Sequence, residues 1–276
     1  MKVGFQGHLG AYSELALREY FGQETEAFGF DISESVFENL HSQALDVGFL
    51  PVENSIIGNV AVNLDLLNQN DFSIIGEYYL SVNHCLMAKH GTPLKDIKYA
   101  HSHPVALAQC RDFLKKHSIT PVSALDTAGS AKELSENPAH NHAVICSSLC
   151  AKYYGLNILA EKIQTVENNI TRFVAFTKKD KVPKDLVCDK TSISFVTNHE
   201  PGSLMNCLQN FTNHNINLTK LESRPIPTDP FHYTFFVDFI GSSQDKQVLA
   251  CLKEMKKDTQ YIKILGSYPS MRSKKL

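Results

Sequence analysis

The run Glu167-Asn168-Asn169-Ile170-Thr171-Arg172-Phe173 gathers amide and hydroxyl side chains and one guanidinium directly before the apolar Val174-Ala175-Phe176. A polar cluster at the mouth of a buried strand can hold hydrogen-bond donors against a small anion, and Arg172 adds a planar fork suited to a carboxylate. The same residues also suit an ordinary Asx-turn beside a surface arginine. The elements around them have to decide.

Similar turns recur where apolar runs end. Pro51-Val52-Glu53-Asn54-Ser55, with Gly58 close behind, follows the strand-like 47–50. Glu53 reads there either as a cap of the turn or as a direct participant. Ser102-His103-Pro104 follows Tyr99-Ala100, with Pro104 fitting a first helical turn and Ser102 or His103 its cap. Asp126-Thr127-Ala128-Gly129-Ser130 opens a helix running to about Leu134. Gly7-His8-Leu9-Gly10-Ala11 joins a strand at 2–6 to a helix whose N-cap reads as Ser13. That turn offers backbone N–H groups to an anion, although its spacing fits neither the dinucleotide fingerprint nor the P-loop. Polar turns at the strand ends of successive α/β units describe one crevice for a small polar molecule.

The remaining elements are read to position these turns. Helical spacing predicts a helix over 33–45, and strands are expected at 72–75, 77–87, 121–122, 142–146 and 156–160, with a helix at 147–154 stopped by Gly155. Tyr12 and Tyr154 read as packing residues, and His84 and His103 as satisfied structural histidines. The charged, proline-bearing run 178–185 reads as a linker. Beyond it, strands at 191–197, 218–223, 231–240 and 261–268 and helices at 202–214 and 246–257 give a β-α-β-β-α-β order. That order fits a small ferredoxin-like α+β module.

Bulk properties narrow the partners. The chain has 276 residues, 43% of them hydrophobic, and a formal net charge of -2, which supplies no broad cationic field for nucleic acid or an anionic membrane. Residues 1–7 turn to glycine and polar residues too early for an apolar leader core, and no run is long enough to span a bilayer. The 7 cysteines are scattered in apolar surroundings and read as reduced, mostly buried thiols of a cytoplasmic protein. His101 and His103 have no acidic or cysteine partner at ligand spacing, so no metal site is expected.

The motifs together resemble one family. Asn168-Asn169-Ile170-Thr171-Arg172-Phe173 is similar to the Asn-x-Thr-Arg-Phe motif of prephenate dehydratases, and Pro51-Val52-Glu53-Asn54-Ser55 to their Pro-x-Glu-Asn-Ser segment. Ser102-His103-Pro104 with Gln109-Cys110, Thr127-Ala128 and Tyr154-Gly155-Leu156 follow in the family's order, and Glu222-Ser223-Arg224-Pro225 matches the Glu-Ser-Arg-Pro segment of its regulatory ACT domain. The resemblance implies a two-lobed, periplasmic-binding-protein-like catalytic domain over 1–180. Its first lobe would be 1–77 with about 165–180, and its second about 78–164. An ACT domain would follow over 190–276. It implies removal of water and carbon dioxide from prephenate to give phenylpyruvate in phenylalanine biosynthesis, with no metal or organic cofactor, in a homodimer or homotetramer inhibited by L-phenylalanine.

The resemblance makes Thr171 the group that donates toward the departing hydroxyl. Asn54, Ser55, Ser102, Thr127 and Asn169 become candidate donors around the dianion, Arg172 a carboxylate partner or a buttress of its loop, and Phe173 an apolar wall. Glu53, Gly7, Gly10 and Ala11 are candidate supports. Asn198, Pro201, Gly202, Ser203 and Leu204, with Glu222, Ser223, Arg224 and Pro225, would hold phenylalanine. Two departures stand out. The family's first loop is commonly Gly-Pro-x-Gly-Thr, whereas this chain has Gly7-His8-Leu9-Gly10-Ala11 before Tyr12-Ser13-Glu14; the Gly-Ala-Tyr-Ser form also resembles arogenate-using members. Ser203 stands where the regulatory motif usually has alanine. A binding module that holds a small acid without turning it over is the rival reading.

Overall fold

The computed structural model describes residues 1–271 except Pro138 and Pro227, and only the backbone at Phe231. The end of the expected ACT domain, 272–276, lies outside the described residues. Two compact units divide the chain, Met1–Val60 with Tyr78–Phe173, and Ala61–Glu77 with Val174–Leu276.

In the first unit, strands Lys2–Gln6, Glu26–Phe30 and Val47–Asn54 pair in parallel with Lys2–Gln6 in the middle, Val3 lying opposite both Ala27 and Val47. Parallel strands need crossovers, supplied here by helices Tyr12–Phe21 and Ser33–His41, whose Ala16, Leu17, Val36, Phe37 and Leu40 are buried. A second, five-stranded sheet has the order Asn157–Ala160, Cys85–Ala88, His142–Cys146, Tyr99–Ser102, Thr120–Ser123. His142–Cys146 runs antiparallel to Cys85–Ala88 and parallel to Tyr99–Ser102. Leu86, Ala88, Ala100, Ala143 and Ile145 join Leu107 and Leu114 of the covering helices, and Cys110 between those helices, in one core. Apolar runs such as Cys85-Leu86-Met87-Ala88, buried at every position, are what a sheet covered on both faces requires.

Several elements differ from the sequence reading. Val47–Asn54 is one strand, so Pro51, Glu53 and Asn54 are strand residues and not turn residues. Thr171, Arg172 and Phe173 likewise lie on a strand, Ile170–Lys178. The first helix is capped by Ala11 without a side-chain bond, because Glu14 takes the Gly10 N–H, and Ser13 sits inside the helix. Phe72–Ser81 is a single strand, and Asn83-His84 separates it from Cys85–Ala88. Glu26–Phe30, an edge strand containing Gly29, went unread.

The second unit carries the expected β-α-β-β-α-β order. Leu218–Ile226, Asp229–Ile240, Lys190–Thr197 and Thr259–Tyr268 are neighbours in that order and antiparallel throughout. Helices Ser203–Asn213 and Lys246–Met255 contribute Cys207, Phe211, Val248, Cys251 and Met255 to a core with Ile193, Phe195, Val237 and Phe239 of the strands. Helix Ala61–Gln69 belongs to this unit, as does 174–178, where Phe176 meets Phe72 edge-on at 5.9 Å. Phe173 instead stacks on Phe49 of the first unit at 5.2 Å. The unit boundary therefore falls inside the strand Ile170–Lys178 and not in the charged run after it. The architecture is α/β with a C-terminal α+β part. Among the described residues no helix is long and apolar enough to cross a membrane. All seven cysteines are free thiols.

Candidate active site

A cavity of about 720 Å³ in the first unit collects the polar strand ends. Strand alternation decides which residues reach it. Thr171 and Phe173 share one face and line the cavity. Arg172, between them, does not line it; it is 5% exposed with its Nη1 3.7 Å from Glu53 Oε2.

Asn54 is oriented by the backbone. Its Oδ1 accepts the N–H groups of Ile56 and Ile57 at 3.0 and 3.1 Å. The amide nitrogen then faces the other way, donating to Asn169 Oδ1 at 2.8 Å and to Thr171 Oγ1 at 2.9 Å. Thr171 thus receives a hydrogen bond and keeps its own proton to give. The fully buried Asn169 donates through Nδ2 to Gln109 Oε1 at 3.1 Å. His84 Nε2 lies 2.7 Å from that same oxygen, and its Nδ1 lies 2.7 Å from the Tyr12 hydroxyl. Burial lowers the His84 pKa below its ordinary value, with the Gln109 hydrogen bond opposing. Burial also holds the Tyr12 phenol well above its ordinary range, with neighbouring thiols adding to the effect. A neutral imidazole and a protonated phenol follow near neutral pH.

The first turn is tied down at many points. Gly10 has φ 89, and its N–H reaches Glu14 Oε2 at 2.6 Å. Its carbonyl accepts from the Ser147 hydroxyl at 2.5 Å and from the Cys150 thiol at 3.3 Å. Glu14, fully buried, also receives Arg18 Nε at 2.8 Å and the Tyr153 hydroxyl at 2.7 Å. His8 Nδ1 lies 2.6 Å from Asp126 Oδ2, and Asp126 caps helix Thr127–Glu136. The result is two ten-residue helices whose first residues, Tyr12 and Ser13 on one and Thr127 on the other, line the cavity. Helix N-termini favour anions through their unpaired N–H groups and their dipole. No Lys or Arg side chain occurs among the described lining residues, whereas Asp31 and Asp126 are both there.

A family model described as prephenate dehydratase matches residues 3–181. The chain belongs to that family. Family members are dehydratases of prephenate- and arogenate-type acids, lyases of aromatic amino-acid biosynthesis. A relative from Arabidopsis thaliana, arogenate dehydratase/prephenate dehydratase 2, is 37% identical over 278 residues, covering 98% of this chain and 73% of its own. The solved prephenate dehydratase of Arthrobacter aurescens in complex with L-Phe is 30% identical with a TM-score of 0.90, over 99% of this chain and 91% of that one. A structure described as GqqA, a quorum-quenching acylase, matches equally at 30% identity and TM-score 0.90, over 99% and 100% of the two chains.

Among the residues singled out from the family motifs, Gly7, Ala11, Asn54, Thr127, Asn169, Thr171 and Phe173 line the cavity. Glu53, Gly10, Ser55, Ser102 and Arg172 do not. Ser102 is fully buried and donates to the Ile145 carbonyl at 2.6 Å. The Ser55 hydroxyl donates to the Asn168 carbonyl at 2.8 Å and accepts the Ile170 N–H at 2.9 Å. Ser102 thus ties two strands within the core, and Ser55 ties its turn to Asn168 and Ile170 at the surface. Tyr12, His84 and His103, read as packing or structural residues, also line the cavity; His84 is satisfied at both ring nitrogens, and His103 accepts the Val105 N–H as a helix cap. The sequence signal for His84 was its position, a polar residue interrupting an apolar run between Val82 and Cys85.

In the second unit a cavity of about 800 Å³ lies at the start of helix Ser203–Asn213, lined by Asn198, Pro201, Gly202, Ser203 and Leu204. Glu222, Ser223, Arg224 and Pro225 are not among its lining residues. They lie within the strand Leu218–Ile226, and Arg224 Nη2 reaches Asp65 Oδ2 at 2.8 Å.

Proposed function

We propose that this protein carries out the decarboxylating dehydration of a cyclohexadienyl acid, giving phenylpyruvate from prephenate or phenylalanine from arogenate. The observation that carries this reading is the Asn54 bridge, which makes Thr171 an acceptor toward the protein and a donor toward the cavity. In the reaction the bond between the ring and its carboxylate breaks, releasing carbon dioxide, its electron pair enters the ring, and the hydroxyl across the ring leaves as water with a proton taken up from solvent. Aromaticity drives the change once both leaving groups are aligned. A threonine hydroxyl is too weak an acid to protonate the leaving group outright, so Thr171 stabilises charge as it develops on the departing oxygen. The helix N-termini at Tyr12–Ser13 and Thr127 would receive the carboxylates, and Phe173 would form an apolar wall against the ring.

Arogenate is the better-supported substrate of the two. It carries an ammonium where prephenate has a ketone, so it brings less negative charge into a cavity lined by Asp31 and Asp126 and by no described Lys or Arg. The loop form with Ala11 points the same way, whereas the name of the Arabidopsis relative carries both acids. An acylase reading has less support, because such a nucleophile needs an adjacent base. Among the described residues Thr171 Oγ1 is hydrogen-bonded by an amide and by no histidine. Parallel steady-state assays on both acids test the proposal. Turnover of both, with the larger kcat/KM on arogenate, is expected. Tight binding of either acid without product would favour the binding module.

The second cavity is proposed to take L-phenylalanine, its carboxylate on the N-terminus of helix Ser203–Asn213. The L-Phe complex of the Arthrobacter aurescens relative supports this assignment. Assembly as a homodimer or homotetramer would bring Glu222–Pro225 to such a ligand from a second copy, and a cytoplasmic location fits the free thiols.

A further inference from the structure

The side chains behind Thr171 form one hydrogen-bond chain whose direction is dictated from its backbone end. The N–H groups of Ile56 and Ile57 can only donate, so Asn54 must turn Oδ1 to them and Nδ2 away. Asn169 then has to present Oδ1 to Asn54 and Nδ2 to Gln109. Gln109 presents Oε1, and His84, 2.7 Å from that oxygen, has to reach it with a proton on Nε2. In a neutral imidazole this leaves Nδ1 as the acceptor of the Tyr12 hydroxyl. Reversing any one link between the amides or between Gln109 and His84 would set two donors or two acceptors face to face, so the amides can turn only together; the Tyr12 hydroxyl, also 3.1 Å from the Asn83 carbonyl, can serve either state of Nδ1.

We propose that His84 is a positioning residue, fixed as the Nε2–H tautomer, which holds the direction of the Thr171 hydroxyl through Gln109, Asn169 and Asn54. The functional part of this claim rests on the reading that Thr171 donates to the leaving hydroxyl. The opposite tautomer carries its proton on Nδ1 and would require Gln109, Asn169 and Asn54 to turn over in sequence. Asn54 Oδ1 would then face Thr171, whose hydroxyl would donate to the protein and not into the cavity, and the Ile56 and Ile57 N–H groups would lose their acceptor. The burial that keeps His84 neutral and Tyr12 protonated maintains the observed direction.

Nitrogen NMR of the His84 ring tests the coupling without any substrate. The wild type is expected to show the neutral Nε2–H tautomer. In Asn54→Asp the carboxylate accepts from the backbone, from Asn169 and from Thr171 alike. The chain therefore reverses, and His84 should switch to Nδ1–H. A wild-type Nδ1–H tautomer, or an unchanged tautomer in folded Asn54→Asp, overturns the proposal. A pair of substitutions tests the consequence for turnover. His84→Gln places an amide near the Nε2 position and should keep kcat within about threefold, whereas His84→Asn withdraws that donor and should lower kcat by roughly tenfold or more with KM little changed. Equal kcat in the two variants, or a loss that follows melting temperature alone, contradicts a positioning role. Wild-type protein that turns over neither acid would remove the functional reading, and the tautomer measurement would still decide the coupling.

Discussion

Thr171 and Arg172 are neighbours in sequence with opposite roles, and strand alternation separates them. Thr171 faces the cavity and Arg172 faces Glu53. Arg172→Met is expected to lower the melting temperature while leaving KM within about twofold, because the polar contacts of the buried guanidinium on the face away from the cavity are lost; a large rise in KM at unchanged stability would return Arg172 to the substrate. The motif made Thr171 legible from sequence. It left Arg172 open because the strand was read as starting at Val174, and with Ile170 as its first residue period-two alternation would have placed the guanidinium on the far face. His84 was legible only as an interruption of an apolar run, since its meaning depends on partners 25 and 72 residues away. Its titration has a stability consequence. The folded state lowers the pKa from 6.5, so the unfolded chain takes up the proton first as the pH falls. The stability due to the neutral ring is complete above about pH 6.5 and is lost as the pH drops through that value toward the lower folded pKa. His101 shifts in the same direction, mainly by burial. His84→Gln should therefore flatten, but not abolish, the fall in melting temperature below pH 6.5. An undiminished fall would argue against a neutral buried His84.

At the scale of elements, the first turn works because both of its flanks hold it. Gly10 needs a positive φ, and a Cβ there would press on the Cys150 thiol. Gly10→Ala should cost about 1–3 kcal/mol in denaturant unfolding and lower kcat/KM, since Ala11 and Tyr12 follow directly. Glu14→Ala removes the shared acceptor of Gly10, Arg18 and Tyr153, and a loss of about 1–3 kcal/mol is expected from the unpaired donors. Unchanged stability in both variants would mean that the turn is held elsewhere. The strand–turn–helix rhythm of this region could be read from sequence, but the capping could not. Ser13 has the residue type of a cap, whereas Glu14, placed within the first turn, takes the buried Gly10 N–H from inside the helix. The strand Glu26–Phe30 escaped because an edge strand with exposed positions and Gly29 carries little apolar signal.

For the whole molecule, the change of rhythm after the charged run announced the β-α-β-β-α-β part, whereas the boundary between the two packing units carried no mark. An unbroken strand, Ile170–Lys178, belongs to the first unit up to Phe173 and to the second from Val174, and continuous apolar sequence gives no mark of that change of packing partners. Regulation belongs at this scale. L-Phenylalanine is expected to raise the melting temperature progressively with the logarithm of its concentration above Kd, stabilising the fold by about 2.7 kcal/mol at a hundred times its Kd, and to lower turnover; a melting temperature and turnover both indifferent to it would remove the regulatory role from the second cavity. The most direct test of the central claim is steady-state turnover of arogenate and prephenate by wild type and Thr171→Ala. The wild type should convert both acids. The variant, folded and with similar KM, should lose roughly a hundred- to a thousandfold in kcat, the cost of one well-placed donor to a developing oxyanion. Near wild-type turnover by Thr171→Ala would contradict it.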